Sequence, residues 1–139
     1  MAALKFLGYI FDLDGTIYLG EKLIPGARET IEKLKFLSKK IVYLSNKPLQ
    51  AREDYAAKLT RLGVPVTEED IVHSSQVMVN FLRRRMPDAR LFVVGEEPLK
   101  AELRAGGFQL TEDATKTDAV IASFDRTFEY RKLQIAFDA

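Results

Sequence analysis

The feature that most constrains this chain is an alternation of two patterns. Short, continuous apolar runs, rich in aromatic and β-branched residues, are separated by longer stretches with helical apolar spacing. The first run is residues 6–11 (FLGYIF), the second 41–44 (IVYL) and the third 71–73 (IVH). Runs of this kind read as strands buried on both faces, as in parallel sheets. Between the first two, Pro25-Gly26 opens a helix whose Ala27, Ile31, Leu34 and Leu37 share one face. Glu29 and Lys33 stand four apart in the favourable order. Lys39-Lys40 close the helix at the negative end of its dipole. Pro48 is placed in the first turn of a second helix, which buries Ala51, Tyr55, Leu59 and Leu62 and stops at Gly63. Thr67 with Glu69-Asp70 reads as a short capped turn. Ser74-Ser75 cap a third helix running through Val77, Phe81 and Leu82. Strand and helix alternate three times, which predicts an α/β fold with a parallel sheet and right-handed crossovers.

Met86-Pro87-Asp88 interrupts the pattern and predicts a division into a core part, 1–86, and a second part, 87–139. The second part restarts with a strand at 91–95, then a helix around Leu99 and Leu103 that ends at Gly106-Gly107. A polar linker (111–118), a strand (119–124) and a helix (130–137) follow. No cap or terminator closes that helix, so the reading expects a chain that stops inside a domain. Composition narrows the function. Lys plus Arg is 21 and Asp plus Glu is 20, a net charge of +1, which argues against a nucleic-acid binder. There is no cysteine, which excludes a disulfide scaffold, thiol catalysis and cysteine metal sites. No apolar run approaches the ~20 residues of a membrane span, and none resembles a signal peptide. The expected location is cytoplasmic.

Asp12 and Asp14 stand where the first strand runs out, and ligands of open parallel sheets bind beyond the carboxyl ends of strands. Gly15 permits a tight turn that keeps both carboxylates near one point. Two close carboxylates either share a proton or gather round a cation, and a hard oxygen-binding ion such as Mg²⁺ suits them. The plain alternative is a solvated Asp-Gly turn. A calcium loop is excluded, because the twelfth residue counted from Asp12 is Leu23 rather than a glutamate. Ser45 lies 33 residues after Asp12, at the end of the next strand. Its hydroxyl, with Asn46 and the backbone N–H groups of Leu13 and Gly15, offers donors for an oxyanion such as phosphate. By itself Ser45-Asn46 reads as a helix N-cap; Asp12 on the neighbouring strand turns the reading toward ligand binding, and the cap can coexist with it. His73, the lone histidine, reads as a hydrogen-bonded structural residue, and Arg83-Arg84-Arg85 as a solvated helix end.

Phe11-Asp12-Leu13-Asp14-Gly15-Thr16 resembles the first motif of the haloacid dehalogenase (HAD) superfamily. Ile17-Tyr18-Leu19-Gly20, Ile24-Pro25-Gly26-Ala27, Leu62-Gly63-Val64 and His73-Ser74-Ser75 resemble its NagD-type, nitrophenylphosphatase-like branch. Val93-Val94-Gly95-Glu96 and residues 123–130 (SFDRTFEY) do so as well. Leu44-Ser45-Asn46 resembles the family's second motif, although Lys47 departs from the commoner asparagine. The resemblance implies a Rossmann-like HAD core sheet, here truncated, followed by the first part of an α/β cap. It implies a Mg²⁺-dependent phosphomonoester hydrolase acting on a sugar phosphate or another small phosphate ester. Asp12 would be the nucleophile that forms an aspartyl phosphate, and Asp14 the general acid and base. The Asp12 side chain and the Asp14 backbone carbonyl would hold the metal. Asp125, Arg126 and Tyr130 match a cap signature that shapes the cap more than it contacts substrate.

The family's third and fourth motifs, a lysine and distal acidic residues, have no counterpart here. The reading therefore expects roughly the first half of a typical member, poor as a catalyst and prone to self-association through an incomplete sheet. Two rivals belong to other classes. A receiver-like phosphate-accepting module would need an aspartate after the third strand, where His73-Ser74-Ser75 stand instead. A non-catalytic binding domain on the same scaffold would tolerate loss of Asp12, which an enzyme would not.

Overall fold

The computed structural model describes residues 5–139. Its elements run β1 (Gly8–Asp12), β2 (Tyr18–Leu19), β3 (Lys22–Leu23), α1 (Ala27–Phe36), β4 (Lys40–Ser45), α2 (Arg52–Arg61), β5 (Ile71–His73), α3 (Ser74–Arg85), β6 (Arg90–Val94), α4 (Glu97–Ala105), β7 (Gln109–Leu110), β8 (Ala119–Ala122) and α5 (Tyr130–Asp138). They group into two compact units. The first holds the residues up to Asn46 together with Ala51–His73; the second holds Lys47–Gln50 and Ser74–Ala139.

In the first unit β1, β4 and β5 form a parallel sheet in the order β1-β4-β5. Leu13, Ile17, Tyr18, Ile31, Tyr43, Tyr55, Leu59, Val64 and Ile71 make its core. Helix α1 contributes Ile31 and Leu34, two of the four positions expected on its apolar face. Leu37 lies beyond the helix, because Ser38 turns into the left-handed region (φ 53°), and Lys40 opens β4 instead of closing the helix. Helix α2 starts at Arg52, after Pro48 rather than around it. Its entry is fixed by the Asp54 carboxylate, which accepts from the Ala51 N–H at 3.0 Å. The turn at Thr67 is capped as expected: the Asp70 carboxylate accepts from the Thr67 N–H at 2.9 Å.

Strand β1 departs from the reading of a strand covered on both faces. It pairs with β4 alone among the described residues, and Ile10 is 72% exposed. A continuous apolar run specifies two faces suited to burial, but burial also needs neighbours, and β1 stands at the edge of its sheet. The sequence reading places no strand between β1 and α1, yet the two-residue strands β2 and β3 form an antiparallel pair there. Runs that short carry no legible alternation.

The second unit has its own parallel sheet, β7-β6-β8. Its core comprises Val79, Leu82, Ala89, Leu91, Val93, Leu99, Leu103, Phe108 and Ile121. Val79 and Leu82 come from α3, so this helix groups with the second unit, which takes in Ser74 onward. Alternation assigns α3 to the preceding strand, yet its buried side is Ser75, Val79 and Leu82. Val77 and Phe81, expected on that side, are half exposed.

Candidate active site

The site is built on the carboxyl ends of two neighbouring strands. Parallel pairing sets Asp12, the last residue of β1, opposite Leu44 of β4, so Ser45 is the next residue along the adjacent strand. Ser45 in turn pairs with His73 of β5. Three strand ends thus lie side by side, with the Ser45–His73 pair one residue beyond the row of Asp12, Leu44 and Val72. Asp12 and Asp14 are both exposed, whereas Leu13 between them is buried. That alternation anchors the turn through the apolar side chain and leaves the two carboxylates facing out.

A compact turn follows. The Leu13 carbonyl accepts from the N–H groups of Thr16 (3.2 Å), Ile17 (2.9 Å) and Tyr18 (3.3 Å). Gly15 takes φ +80°, a region where a β-carbon costs roughly 1–2 kcal/mol. Its N–H donates to the Tyr18 carbonyl at 2.8 Å, closing the Asp14–Tyr18 bridge. The expected use of the Gly15 N–H as a phosphate donor therefore competes with an existing bond, and the residue's evident task is the turn. Ser45 is 3% exposed, and Asn46 beside it is exposed.

Two tyrosines that the sequence does not mark as site residues line this end of the unit. Tyr18 and Tyr55 are each 1% exposed. Burial, reinforced by the negative charge of Asp14 and by Tyr55 and Asp12, pushes the Tyr18 phenol well above its ordinary range. Lys58 lies over the Tyr18 ring, 4.1 Å from its centroid, and pairs with Glu21 at 3.2 Å. Burial also raises Tyr55; a hydrogen bond with the Ser45 hydroxyl partly offsets this, and Asp14 adds to the rise. Tyr55 sits on a helical apolar face and so reads as ordinary core. The overlooked signal is chemical: a tyrosine at a fully buried helix position needs a partner for its hydroxyl.

The donors at the turn suit a hard cation. Mg²⁺ is commonly held by one or two carboxylates, with water and substrate phosphate completing its shell. Asp12 and Asp14 supply that minimum in oxygen donors. Among the described residues no group of three or more His, Cys, Asp or Glu could hold a metal by itself. The remaining candidates lie elsewhere. Asp125, Arg126 and Tyr130 belong to the second unit, as do Arg83–Arg85. Among the described residues no helix is long and apolar enough to cross a membrane.

Comparison with known proteins agrees with this geometry. The family model for haloacid dehalogenase-like hydrolases matches residues 9–109. The chain is 39% identical over 132 residues to the sugar-phosphatase AraL of Bacillus subtilis, covering 95% of this chain and 48% of that protein. The crystal structure of a 4-nitrophenylphosphatase from Thermotoga maritima superposes with a TM-score of 0.86 at 33% identity, over 94% of this chain and 49% of the other. NagD from Escherichia coli K-12 superposes with a TM-score of 0.79 at 30% identity, over 91% and 50%. The chain thus spans about half the length of the relatives it matches. With the motifs, the strand-end geometry and these likenesses in agreement, the chain belongs to the haloacid dehalogenase-like hydrolases, in their NagD and nitrophenylphosphatase-like branch.

Proposed function

We propose that this chain carries the nucleophile, the general acid–base and the phosphate-binding serine of a Mg²⁺-dependent phosphomonoester hydrolase. The observation that carries the reading is the register of β1 on β4, which puts Asp12 and Ser45 at adjacent strand ends. Relatives named as a sugar phosphatase and a 4-nitrophenylphosphatase support a small phosphate ester as substrate.

An Asp12 carboxylate oxygen attacks phosphorus while the bond to the leaving oxygen breaks, giving an aspartyl phosphate. Asp14, protonated at this stage, passes its proton to the leaving alkoxide. Asp14, now ionised, takes a proton from the water that attacks the phosphoryl group. Inorganic phosphate and free Asp12 result. The two roles need opposite protonation of the carboxyls at the outset. Ser45 Oγ, Asn46 and the Leu13 N–H hold phosphate oxygens. The Asp12 side chain and the Asp14 backbone carbonyl would hold Mg²⁺, which would offset charge between carboxylate and phosphate.

The division into a catalytic core and a cap, the cytoplasmic location and self-association through the β1 edge belong to the same proposal. So does weak turnover by these 139 residues alone, since no residue here matches the family's lysine or its distal acids. The test is Mg²⁺-dependent hydrolysis of 4-nitrophenyl phosphate by the chain and by Asp12→Asn. Activity that disappears in the variant supports the reading. Activity of equal size in both proteins sinks it.

A further inference from the structure

The peptide between Asp14 and Gly15 carries two groups that face opposite ways. Its N–H donates to the Tyr18 carbonyl at 2.8 Å. A trans peptide is planar, so its C=O points away from its N–H. Whatever fixes the Tyr18 carbonyl therefore also aims the Asp14 carbonyl, the group assigned above to Mg²⁺. Tyr18 is tied to the same turn a second time, through its N–H to the Leu13 carbonyl at 3.3 Å.

A lysine outside the turn grips Tyr18. Lys58 of α2 places its ammonium 4.1 Å from the Tyr18 ring centroid and 3.2 Å from a Glu21 carboxylate oxygen. Arg61, further along α2, holds the other Glu21 oxygen at 3.1 Å. Tyr18 opens β2, and Glu21 stands in the turn between β2 and β3. Helix α2 thus holds the hairpin at a ring and at its tip. The Lys58 side chain is only 15% exposed. A lysine ordinarily keeps its charged head in water. Here the head is laid on a π face beside one carboxylate, and a cation attracts a ring more strongly when water is kept away.

We propose that Lys58 is a positioning residue that, by pinning Tyr18 and Glu21, fixes the carbonyl receiving the Gly15 N–H and so holds the Asp14 carbonyl in one orientation for Mg²⁺. The assignment rests on the Asp12–Asp14 turn holding the metal, and Lys58 acts only through Tyr18 and its hairpin.

The test uses the whole chain and Mg²⁺ alone as probe. Binding is followed by NMR at the Gly15 amide, and hydrogen exchange of the same amide is measured without metal. Lys58→Met keeps the stem and removes the charge; Lys58→Arg restores the charge. Expected for Lys58→Met is about 10-fold weaker Mg²⁺ binding and about 10-fold faster exchange at Gly15, with the amides of β4 unchanged. Lys58→Arg should stay within about twofold of the wild type in both. Exchange at Gly15 that is unchanged, or that rises in step with β4, would overturn the positioning role, as would Mg²⁺ affinity unaffected by Lys58→Met. Asp12→Asn separates that failure from one beneath it. Mg²⁺ binding as tight in this variant as in the wild type, or none in either, would overturn the metal site itself.

Discussion

The two units each place an aspartate at the heart of a named motif, and they treat it in opposite ways. In the first unit Asp12 ends a strand, Asp14 stands in the turn after it, and both are exposed. Asp125 in the second unit has a side chain only 2% exposed, and its oxygens are consumed within the fold. It accepts from the Thr127 N–H at 2.9 Å, the Thr127 hydroxyl at 2.7 Å and the Lys132 ammonium at 2.7 Å. Lys132 donates also to the Thr127 carbonyl at 3.0 Å. Burial pushes the Asp125 carboxyl up, but these hydrogen bonds outweigh it and hold the group below its ordinary value. A carboxylate satisfied on every side has little left to offer a ligand. The comparison separates an aspartate exposed at a strand end from one that clasps a loop.

The sharpest way to break this contrast is to remove each charge in turn. Asp12→Asn is expected to lower Mg²⁺-dependent phosphatase activity by a factor on the order of 10³ or more. Its melting curve should shift by less than about 0.5 kcal/mol, as for other exposed positions. Asp125→Ala should do the reverse. It strands the largely buried Lys132 ammonium and should cost about 3 kcal/mol in denaturant unfolding. A stable Asp125→Ala protein would show that the clasp contributes nothing, and the distinction between the two aspartates would collapse.

Acid should sharpen the same contrast at a smaller scale. In the second unit Asp125 and Asp118 lie below their ordinary range, the latter held down by Arg90. Glu96 is brought down to about 2 by Arg126, and Asp113 to about 2 by Lys116 and Thr115. A carboxyl with a depressed folded pKa stabilises above its unfolded value and loses that contribution as pH falls through the folded one. The window here runs from about pH 4 down to about pH 2. Thermal melts of the wild type and Asp125→Asn should therefore stand apart at pH 7 and pH 5 and converge below pH 4. A gap of constant size down to pH 2.5 would mean that Asp125 titrates alike in the folded and unfolded chain.

How much of this was readable beforehand follows from what each residue's neighbours are. The adjacency of Asp12 and Ser45 was legible, because βαβ units with short connections place consecutive strand ends together. The helix faces of Ile31, Leu34, Leu99 and Leu103 were legible from spacing. The exposure of Ile10 was not, since an edge strand and a central strand can share one apolar run. Of Val77, Phe81 and Leu82, which the reading grouped on α3, only Leu82 is buried; Val79 and Ser75 share its side. Tyr55 was placed in the core correctly, but its hydroxyl partner depends on a residue in another element ten positions earlier. No local pattern carries that information.

The smallest effect concerns the turn that separates the two exposed carboxylates from the tyrosines behind them. Gly15 adopts φ +80°, and a β-carbon there would meet nothing within 4 Å. Gly15→Ala therefore adds no clash, and its cost is backbone strain alone, about 1 kcal/mol. Asparagine enters the left-handed region more readily than alanine, so Gly15→Asn should recover part of that loss. If the turn only ends a strand, activity in both variants should follow the fraction folded. If it sets Asp14 relative to Asp12, Gly15→Ala should lose activity at temperatures where it remains fully folded, with Gly15→Asn in between. The Gly15 N–H bond to the Tyr18 carbonyl closes this turn at 2.8 Å, so strain at residue 15 is felt first by the bridge that holds Asp14. That favours the second outcome, and kcat measured well below the melting transition distinguishes the two.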